Sequence, residues 1–248
     1  MAGLLEICVD SLASARAAIR GGADRLELCS ALTLGGLTPY EALLQQIRAE
    51  TRLSLRCLIR PRAGDFLYTQ EEIQLMCSQI STLKDAGADG FVIGCLTPAG
   101  DLDCDSLKPL IAAAEGAGLT LHRCIDVSRD PLQTYLSAAR LGFDTVLTSG
   151  AAGSCTAGVD MIASMLALRD THNGPEVLIG AGVNAENIQM LTQSLSGARA
   201  FHASCKKMIE SQMTFRNPGI PMGLPGLDEW HIQQTDEQQV RIIKNAIQ

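Results

Sequence analysis

The segment that organises the chain is 53–66, which reads LSLRCLIRPRAGDF. Apolar residues alternate along its first half, and this period of two predicts a β-strand with one face against a core. The opposite face carries Arg56 and Arg60, and Pro61 prevents the strand from continuing. Because an arginine on the inner face of a strand is costly unless it is paired, we expect acids from other strands, or an anion, beside these guanidinium groups.

Strand patterns of the same kind recur along the chain and alternate with helical patterns. Besides the segment above, the predicted strands are 4–9, 25–29, 90–96, 119–125, 145–148, 176–181 and 199–203. The predicted helices are 10–22, 39–50, 69–86, 105–115, 131–141, 160–170 and 185–194. Eight units in 248 residues favour a single (β/α)8 TIM-type barrel. The alternative is a doubly wound open sheet, but no G-x-G-x-x-G follows the first strand. We predict one domain, 1–248, in which an irregular tail and a last helix (206–248) pack on the barrel.

Composition narrows the class of protein. Hydrophobic residues make up 46% and charged residues 19%, which suits a sizeable core. A net charge of −7 argues against a nucleic-acid partner. No apolar stretch approaches the ~20 residues of a membrane span, and the N-terminus has no signal-peptide pattern. The nine scattered cysteines, an odd number, favour reduced thiols in the cytoplasm over a disulfide framework.

Charged and polar side chains occupy the strand positions that point into the predicted barrel, where Val, Ile and Leu are usual. These inward residues are Glu6, Arg25, Glu27, Arg56, Arg60, His122, Asp126 and His202. Charges buried in such numbers must pair with one another. Two interpretations stay open, a structural ion-pair network that fills the barrel or a ligand site at the strand ends. We predict the ligand site for the set as a whole.

An enzyme acting on a small carboxylate or phosphate would use these residues in two ways. The acid–base candidates are Glu6, Glu27, Arg60, His122 and Asp126. The candidates for binding the anion are Arg25, Arg60, Arg62, Gly182, His202 and Ser204. His122 and Asp126 form either an acid–base pair or a satisfied core histidine with an unrelated acid. Gly182 and Ser204 follow the last two strands, where barrels bind phosphate, although a tight turn explains the glycine equally well.

Cys8 and Cys29 form the most specific metal pattern in the chain. Each follows an inward glutamate, Glu6 or Glu27, by two positions on consecutive strands. Neighbouring strands lie roughly 4.8 Å apart, so matched inward positions approach each other. Two close thiols suit Cu(I), which accepts sulfur ligands. The alternative is that each cysteine is a small buried hydrophobic residue.

The same residues belong to longer motifs. These are LEIC (5–8), GADRLELC (22–29), GGLTP (35–39), IRPRAGDFLY (59–68), HRCID (122–126) and VLTSG (146–150). With them the chain resembles the CutC family of copper homeostasis proteins along essentially its whole length. The resemblance implies a cytoplasmic (β/α)8 barrel that handles copper and assembles as a homodimer, with no organic cofactor indicated. Cys8 and Cys29 match the first two cysteine positions of the family, for which Cu(I) binding has been proposed.

Two residues depart from the pattern of that family. Ala63 stands where a glycine is usual after Arg-Pro-Arg, and Cys124 stands where alanine is usual after His122-Arg123. Cys124 either adds a thiol to a metal site or fills volume. Two functions therefore remain, a copper homeostasis protein that holds Cu(I), or a TIM-barrel enzyme acting on a small anionic substrate at the C-terminal mouth of the barrel.

Overall fold

Eight parallel strands close into a barrel in which each pairs with the next along the chain and the last pairs with the first. The computed structural model describes residues 3–220, 222–223, 226 and 228–248. The barrel strands are β1 (Leu4–Val9), β2 (Arg25–Leu28), β3 (Ser54–Leu58), β4 (Gly90–Ile93), β5 (Gly118–Leu121), β6 (Thr145–Thr148), β7 (Glu176–Ile179) and β8 (Ala200–Ala203). The intervening helices are α1 (Leu12–Gly21), α2 (Glu41–Glu50), α3 (Gln70–Asp85), α4 (Cys104–Ala114), α5 (Pro131–Arg140), α6 (Val159–His172) and α7 (Ile188–Ser194). The predicted (β/α)8 barrel is confirmed.

Two faces of β1 show how the alternating pattern builds this barrel. Leu5, Ile7 and Val9 are fully buried in the apolar layer between strands and helices. Glu6 and Cys8 point the other way, into the barrel. Glu6 lies opposite His202 of β8 in the ladder that closes the barrel, as the sequence predicted.

Helix ends follow the signals in the sequence. Ser11 caps α1 by accepting a hydrogen bond from the Ser14 N–H at 3.2 Å, and Gly22 ends it with φ +94°. Thr69 and Glu72 form a reciprocal capping box at the start of α3. Among the helices of the described part of the chain, none is long and apolar enough to cross a membrane.

The register between the first two strands differs from the one that the cysteine argument assumed. Cys8 lies opposite Glu27 of β2, and Glu6 lies opposite Arg25. Cys29 follows β2, and its N–H donates to the Val9 carbonyl at 2.9 Å. The two cysteines are therefore not matched positions, because strands of a closed barrel are staggered along one another.

The predicted fifth strand, 119–125, is too long. β5 ends at Leu121, and Arg123–Val127 is a 3₁₀ helix. The His122 side chain caps this helix, because its Nδ1 accepts the Cys124 N–H at 3.1 Å. Cys124 and Asp126 therefore lie on a helical turn beyond the strand, and the period of two does not apply to them.

The predicted irregular tail contains a β-hairpin. β9 (Lys206–Glu210) pairs antiparallel with β10 (His231–Thr235). β9 is mostly exposed, and β10 is exposed at its start and half-buried further on, so neither strand has the buried alternation that identified the barrel strands. Pro221 and Pro225, on which the irregular tail was predicted, lie outside the described residues.

The last helix, α8 (Glu237–Ala246), packs against α1. Gly21 permits the close approach, since a Cβ there would lie 2.5 Å from Cβ of Val240. Lys244 of α8 also donates to the Asp24 carboxylate at 2.7 Å. This helix thus lies at the end of the barrel where β2 begins, and the hairpin lies at the other end.

Candidate functional site

A cavity of about 510 Å³ lies at the end of the barrel where the strands finish. The predicted site residues that line it are Cys8, Glu27, Cys29, Arg60, His122, Gly182, His202 and Ser204. The predicted site residues that do not line it are Glu6, Arg25, Arg62 and Asp126. The C-terminal mouth of a barrel is where barrel enzymes place their chemistry. The sequence therefore placed most of the candidates at the right end.

Glu6 forms the floor below the cavity and is fully buried. Its carboxylate accepts from Arg25 Nε at 2.5 Å and lies 2.8 Å from Nδ1 of His202. Burial alone would raise the pKa of Glu6, but the Arg25 guanidinium and the His202 imidazole lower it to about 2. Glu6 is thus a permanent carboxylate that orients His202, and it does not reach a ligand in the cavity.

His202 connects this floor to the cavity. Its Nε2 lies 3.8 Å from the Glu27 carboxylate. Burial favours the neutral imidazole, but the Cys8 sulfur and the Glu27 carboxylate outweigh it and raise the pKa of His202 well above 6.5. The ring is therefore an imidazolium at neutral pH when nothing else is bound.

One group of side chains offers three ligand atoms for a metal ion. The Cys8 sulfur, a Glu27 carboxylate oxygen and a His202 ring nitrogen all lie within 4.8 Å of one another. Cys29 stands beside the group, with its sulfur 3.4 Å from Glu27 Oε2. Burial, followed by the Glu27 charge, raises the pKa of Cys29 well above its usual value, so this thiol stays protonated and donates to Glu27. Burial also raises the pKa of Glu27, although the His202 charge opposes the effect.

Arg60 lies just beyond β3 and is only 8% exposed. Its Nη1 donates to the carbonyls of Leu34 and Gly36, at 3.1 and 3.0 Å, and its Nη2 donates to the Gly64 carbonyl at 2.9 Å. Its Nε has no partner in the described part of the protein. The expectation that acids from other strands pair with Arg60 is wrong, because the glycine-rich loops after β2 and β3 supply backbone carbonyls instead.

His122 is buried beside Arg60 at the same wall of the cavity. Gly94 makes room for it, since a Cβ there would lie 2.5 Å from Cε1 of the ring. Burial and the Arg60 charge lower the pKa of His122 to about 3, so the ring is neutral. Because Nδ1 accepts from the Cys124 N–H, the ring hydrogen is on Nε2, which has no partner in the described residues.

Asp126 is not paired with His122, so the predicted acid–base pair does not form. Its carboxylate accepts from Thr148 Oγ1 at 2.6 Å, from the Ser149 N–H at 3.0 Å and from Arg123 Nε at 2.8 Å. Its side chain is only 4% exposed. These bonds hold the chain that leaves β6 against the 3₁₀ helix, which makes Asp126 a structural residue.

The remaining arginines also have internal partners. Arg62 donates to Glu72 at 2.6 Å and to Asp65 at 3.1 Å, and it does not line the cavity. Arg56 donates to Asp144 at 2.7 Å inside the barrel, below the cavity. The interpretation as a structural ion network thus holds for Arg25 and Arg56, whereas Arg60 is different because it has no acidic partner among the described residues.

Several residues that line the cavity were missed by the sequence argument. They are Asp10, Phe66, Arg123, Lys206, Gln233 and Gln234. The last three belong to the hairpin, which forms one side of the mouth. The segment KKMIE of β9 has no alternation of apolar and polar residues, so the sequence pattern does not predict the hairpin. Gly182, with φ +96°, and Ser204 line the cavity at the ends of β7 and β8.

These features define the chain as a (β/α)8 barrel protein with a cavity at the C-terminal mouth. A sequence model of the CutC family matches residues 3–207, and the chain belongs to that family. It is 39% identical over 245 residues to the human copper homeostasis protein cutC homolog, covering 98% of this chain and 88% of that protein. It is 38% identical over 245 residues to the family protein CutC of Klebsiella pneumoniae strain 342, with 98% and 97% covered.

Solved structures agree with this assignment. The CutC protein of Streptococcus agalactiae superposes with a TM-score of 0.76 at 27% identity, covering 82% of this chain and 98% of that one. A 3-hexulose-6-phosphate synthase from Salmonella typhimurium superposes with a TM-score of 0.59 at 15% identity, covering 100% and 98%. The second likeness concerns the fold alone.

Proposed function

We propose that this protein handles copper by binding Cu(I) in the mouth of the barrel, at Cys8, Glu27 and His202. The observation that carries the proposal is the approach of their ligand atoms to within 4.8 Å of one another. The human relative that is named a copper homeostasis protein supports the same function. Cys29 hydrogen-bonds to Glu27 and so acts here as a neighbour of the site.

The chemistry of these donors favours a soft ion. Thiolate and imidazole suit Cu(I), whereas Mg²⁺ and Ca²⁺ require shells of oxygen atoms. His202 must first lose a proton, because an imidazolium has no lone pair to offer. Copper binding is thus expected to release protons and to strengthen as the pH rises.

The test is an anaerobic competition between the protein and a chromophoric Cu(I) chelator under reducing conditions. Cys8→Ser and His202→Gln should each weaken the affinity for Cu(I) by about tenfold or more. Cys104→Ser is the matched control, since Cys104 is a free thiol that does not line the cavity. Unchanged affinity in Cys8→Ser would reject this site, and Cys29→Ser decides whether the second sulfur contributes.

A second candidate function is catalysis on a small anionic substrate, and Arg60 favours it. Its guanidinium is buried at the cavity wall with no carboxylate partner in the described chain, so it carries a charge that a ligand can neutralise. Glu27, whose pKa is raised by burial, is the acid–base group within reach. Gly182 and Ser204 border the same space.

Measurements of anion binding distinguish this second candidate function from copper binding. Arg60→Lys keeps the charge but loses the planar fork, so the affinity for acetate or inorganic phosphate should fall by roughly 1–3 kcal/mol. Arg62→Lys is the matched control, because Arg62 is paired with Glu72 and lies away from the cavity. An equal thermal shift with both variants would end this candidate.

We also propose that the protein is a cytoplasmic homodimer. All nine cysteines are free, which suits a reducing compartment. Met208 exposes 51% of its surface on one face of the hairpin, and a second copy would cover it. Sedimentation equilibrium tests the assembly, with Met208→Lys expected to shift it to the monomer.

A further inference from the structure

We propose that Arg60 and His122 bind the same oxygen-bearing group of a ligand, a carboxylate, with His122 acting as a neutral hydrogen-bond donor. This inference rests on the second candidate function and names its substrate class. His122 thereby becomes a specificity-determining residue and not a general base. None of the proposed copper ligands donates to this carboxylate, although Glu27 borders both sites in the one cavity.

The first step concerns the N–H groups of Arg60 that do not donate to a backbone carbonyl. The three backbone carbonyls of Leu34, Gly36 and Gly64 occupy both hydrogens of Nη1 and one of Nη2. The hydrogen of Nε and the second hydrogen of Nη2 are left. A guanidinium grips a carboxylate in bidentate fashion with two neighbouring N–H groups, and Nε and Nη2 are neighbours on one side of the fork.

The second step is the fixed tautomer of His122. Its Nδ1 is committed to the Cys124 N–H, which places the hydrogen on Nε2. The side chain is 5% exposed, and Nε2 is buried with no partner in the described residues. A buried donor left without a partner costs free energy that a ligand oxygen would recover.

The third step is that Arg60 and His122 both lie next to the ring of Phe66. Phe66 lines the cavity, and its ring centroid lies 4.7 Å from that of His122 and 5.3 Å from Cζ of Arg60. The Arg60 charge also contributes to keeping His122 neutral. Arg60 and His122 therefore lie at the same wall of the cavity, next to one aromatic ring.

The charged residues around this part of the cavity suit a ligand that carries one negative charge. The other cations bordering the cavity already have polar partners. Arg123 is paired with Asp126, His202 lies between the carboxylates of Glu6 and Glu27, and Lys206 is exposed at the rim and donates to Gln233. Glu27 also borders the cavity and would repel a dianion. A carboxylate thus suits the wall better than a phosphate dianion.

The experiment measures the binding of acetate, glycolate and inorganic phosphate to the full-length protein by thermal shift and by NMR of the histidine ring N–H groups. His122→Asn is the informative variant, because an asparagine oxygen still caps the 3₁₀ helix while the ring donor is lost. We expect a carboxylate to bind more tightly than phosphate, and His122→Asn to weaken carboxylate binding by about tenfold. His231→Asn, on the exposed hairpin, is the control.

Two results overturn the proposal and are distinguishable. If His122→Asn binds carboxylates as the wild type does while Arg60→Lys does not, the role of His122 is wrong and the anion site stands. If no anion shifts the wild-type protein, both this inference and the second candidate function fail. The NMR signal of the His122 Nε2–H group in the wild type must move on carboxylate binding, and this readout needs no variant to fold.

Discussion

The imidazole of His202 and the carboxylate of Glu6 meet across the junction where the barrel closes. They face each other in the β8–β1 ladder, and Nδ1 of His202 lies 2.8 Å from Oε1 of Glu6. Glu6 is fully buried, so its charge is balanced only by groups inside the protein. The contact that orients a candidate ligand residue is therefore also part of the closure of the fold.

Glu6→Gln should destabilise the protein by about 3 kcal/mol at neutral pH, because Arg25 and His202 lose a buried negative charge. Urea denaturation measures the change. Glu50→Gln, which removes an exposed ion pair with Arg16, is the control and should leave the midpoint unchanged. Equal midpoints for the two variants would contradict a stabilising role for the buried cluster.

Acid should destabilise the wild-type protein through His122. The pKa of this ring falls from 6.5 to about 3 on folding, so between these values the unfolded chain binds the extra proton and stability falls as the pH falls. His122→Asn lacks this titration. We expect its free energy of unfolding to depend less on pH in that window, by about 1.4 kcal/mol per pH unit. Parallel profiles from urea titrations would show that the ring is not held neutral.

Gly94→Ala should displace His122. The added Cβ would lie 2.5 Å from both Cys124 Sγ and His122 Cε1, and the buried ring has no space to retreat without cost. We expect a loss of roughly 1–3 kcal/mol of stability, typical of overpacking, together with weaker carboxylate binding. Gly153→Ala is the control, since a Cβ there would meet nothing within 4 Å. Normal carboxylate affinity in Gly94→Ala would count against His122 as a ligand residue.

Asp126→Asn should lower the melting temperature and leave ligand binding intact. The carboxylate accepts charge-assisted hydrogen bonds from Ser149 and Arg123, and each contributes about 1.5–3 kcal/mol. Anion and Cu(I) affinities measured below the melting transition should equal those of the wild type. A selective loss of binding without a change in melting temperature would return Asp126 to the catalytic candidates.

The fold was predictable because its signals are local. Alternating residues such as Leu5, Glu6 and Ile7 identified the strands, and the pairs Asp10-Ser11 and Gly21-Gly22 marked the ends of the first helix. The prediction is wrong where a side chain overrides the backbone pattern. His122 looks like one more strand residue in the sequence, yet its ring caps a 3₁₀ helix and ends β5 there.

The candidate site was predictable only in part, because its partners depend on register and on loops. Strand stagger sets Cys8 against Glu27 instead of Cys29, and spacing along the sequence does not contain that stagger. Arg60 was expected to pair with acids, but its guanidinium donates instead to the backbone carbonyls of Gly36 and Gly64. Because every residue has a backbone carbonyl, the residue types in the sequence do not show which carbonyls accept hydrogen bonds from Arg60.

Closure of the barrel requires that the last strand, β8, has been synthesised. Glu6 and His202 are 196 positions apart, whereas Glu6 and Arg25 are 19 apart. At about 5–20 residues per second, roughly 10–40 s separate the emergence of Glu6 from that of His202 on the ribosome. During that interval β1 has an unpaired edge, which is open to pairing with another nascent chain. Arg25 emerges soon after Glu6, so its guanidinium can neutralise the Glu6 carboxylate before β8 has been synthesised.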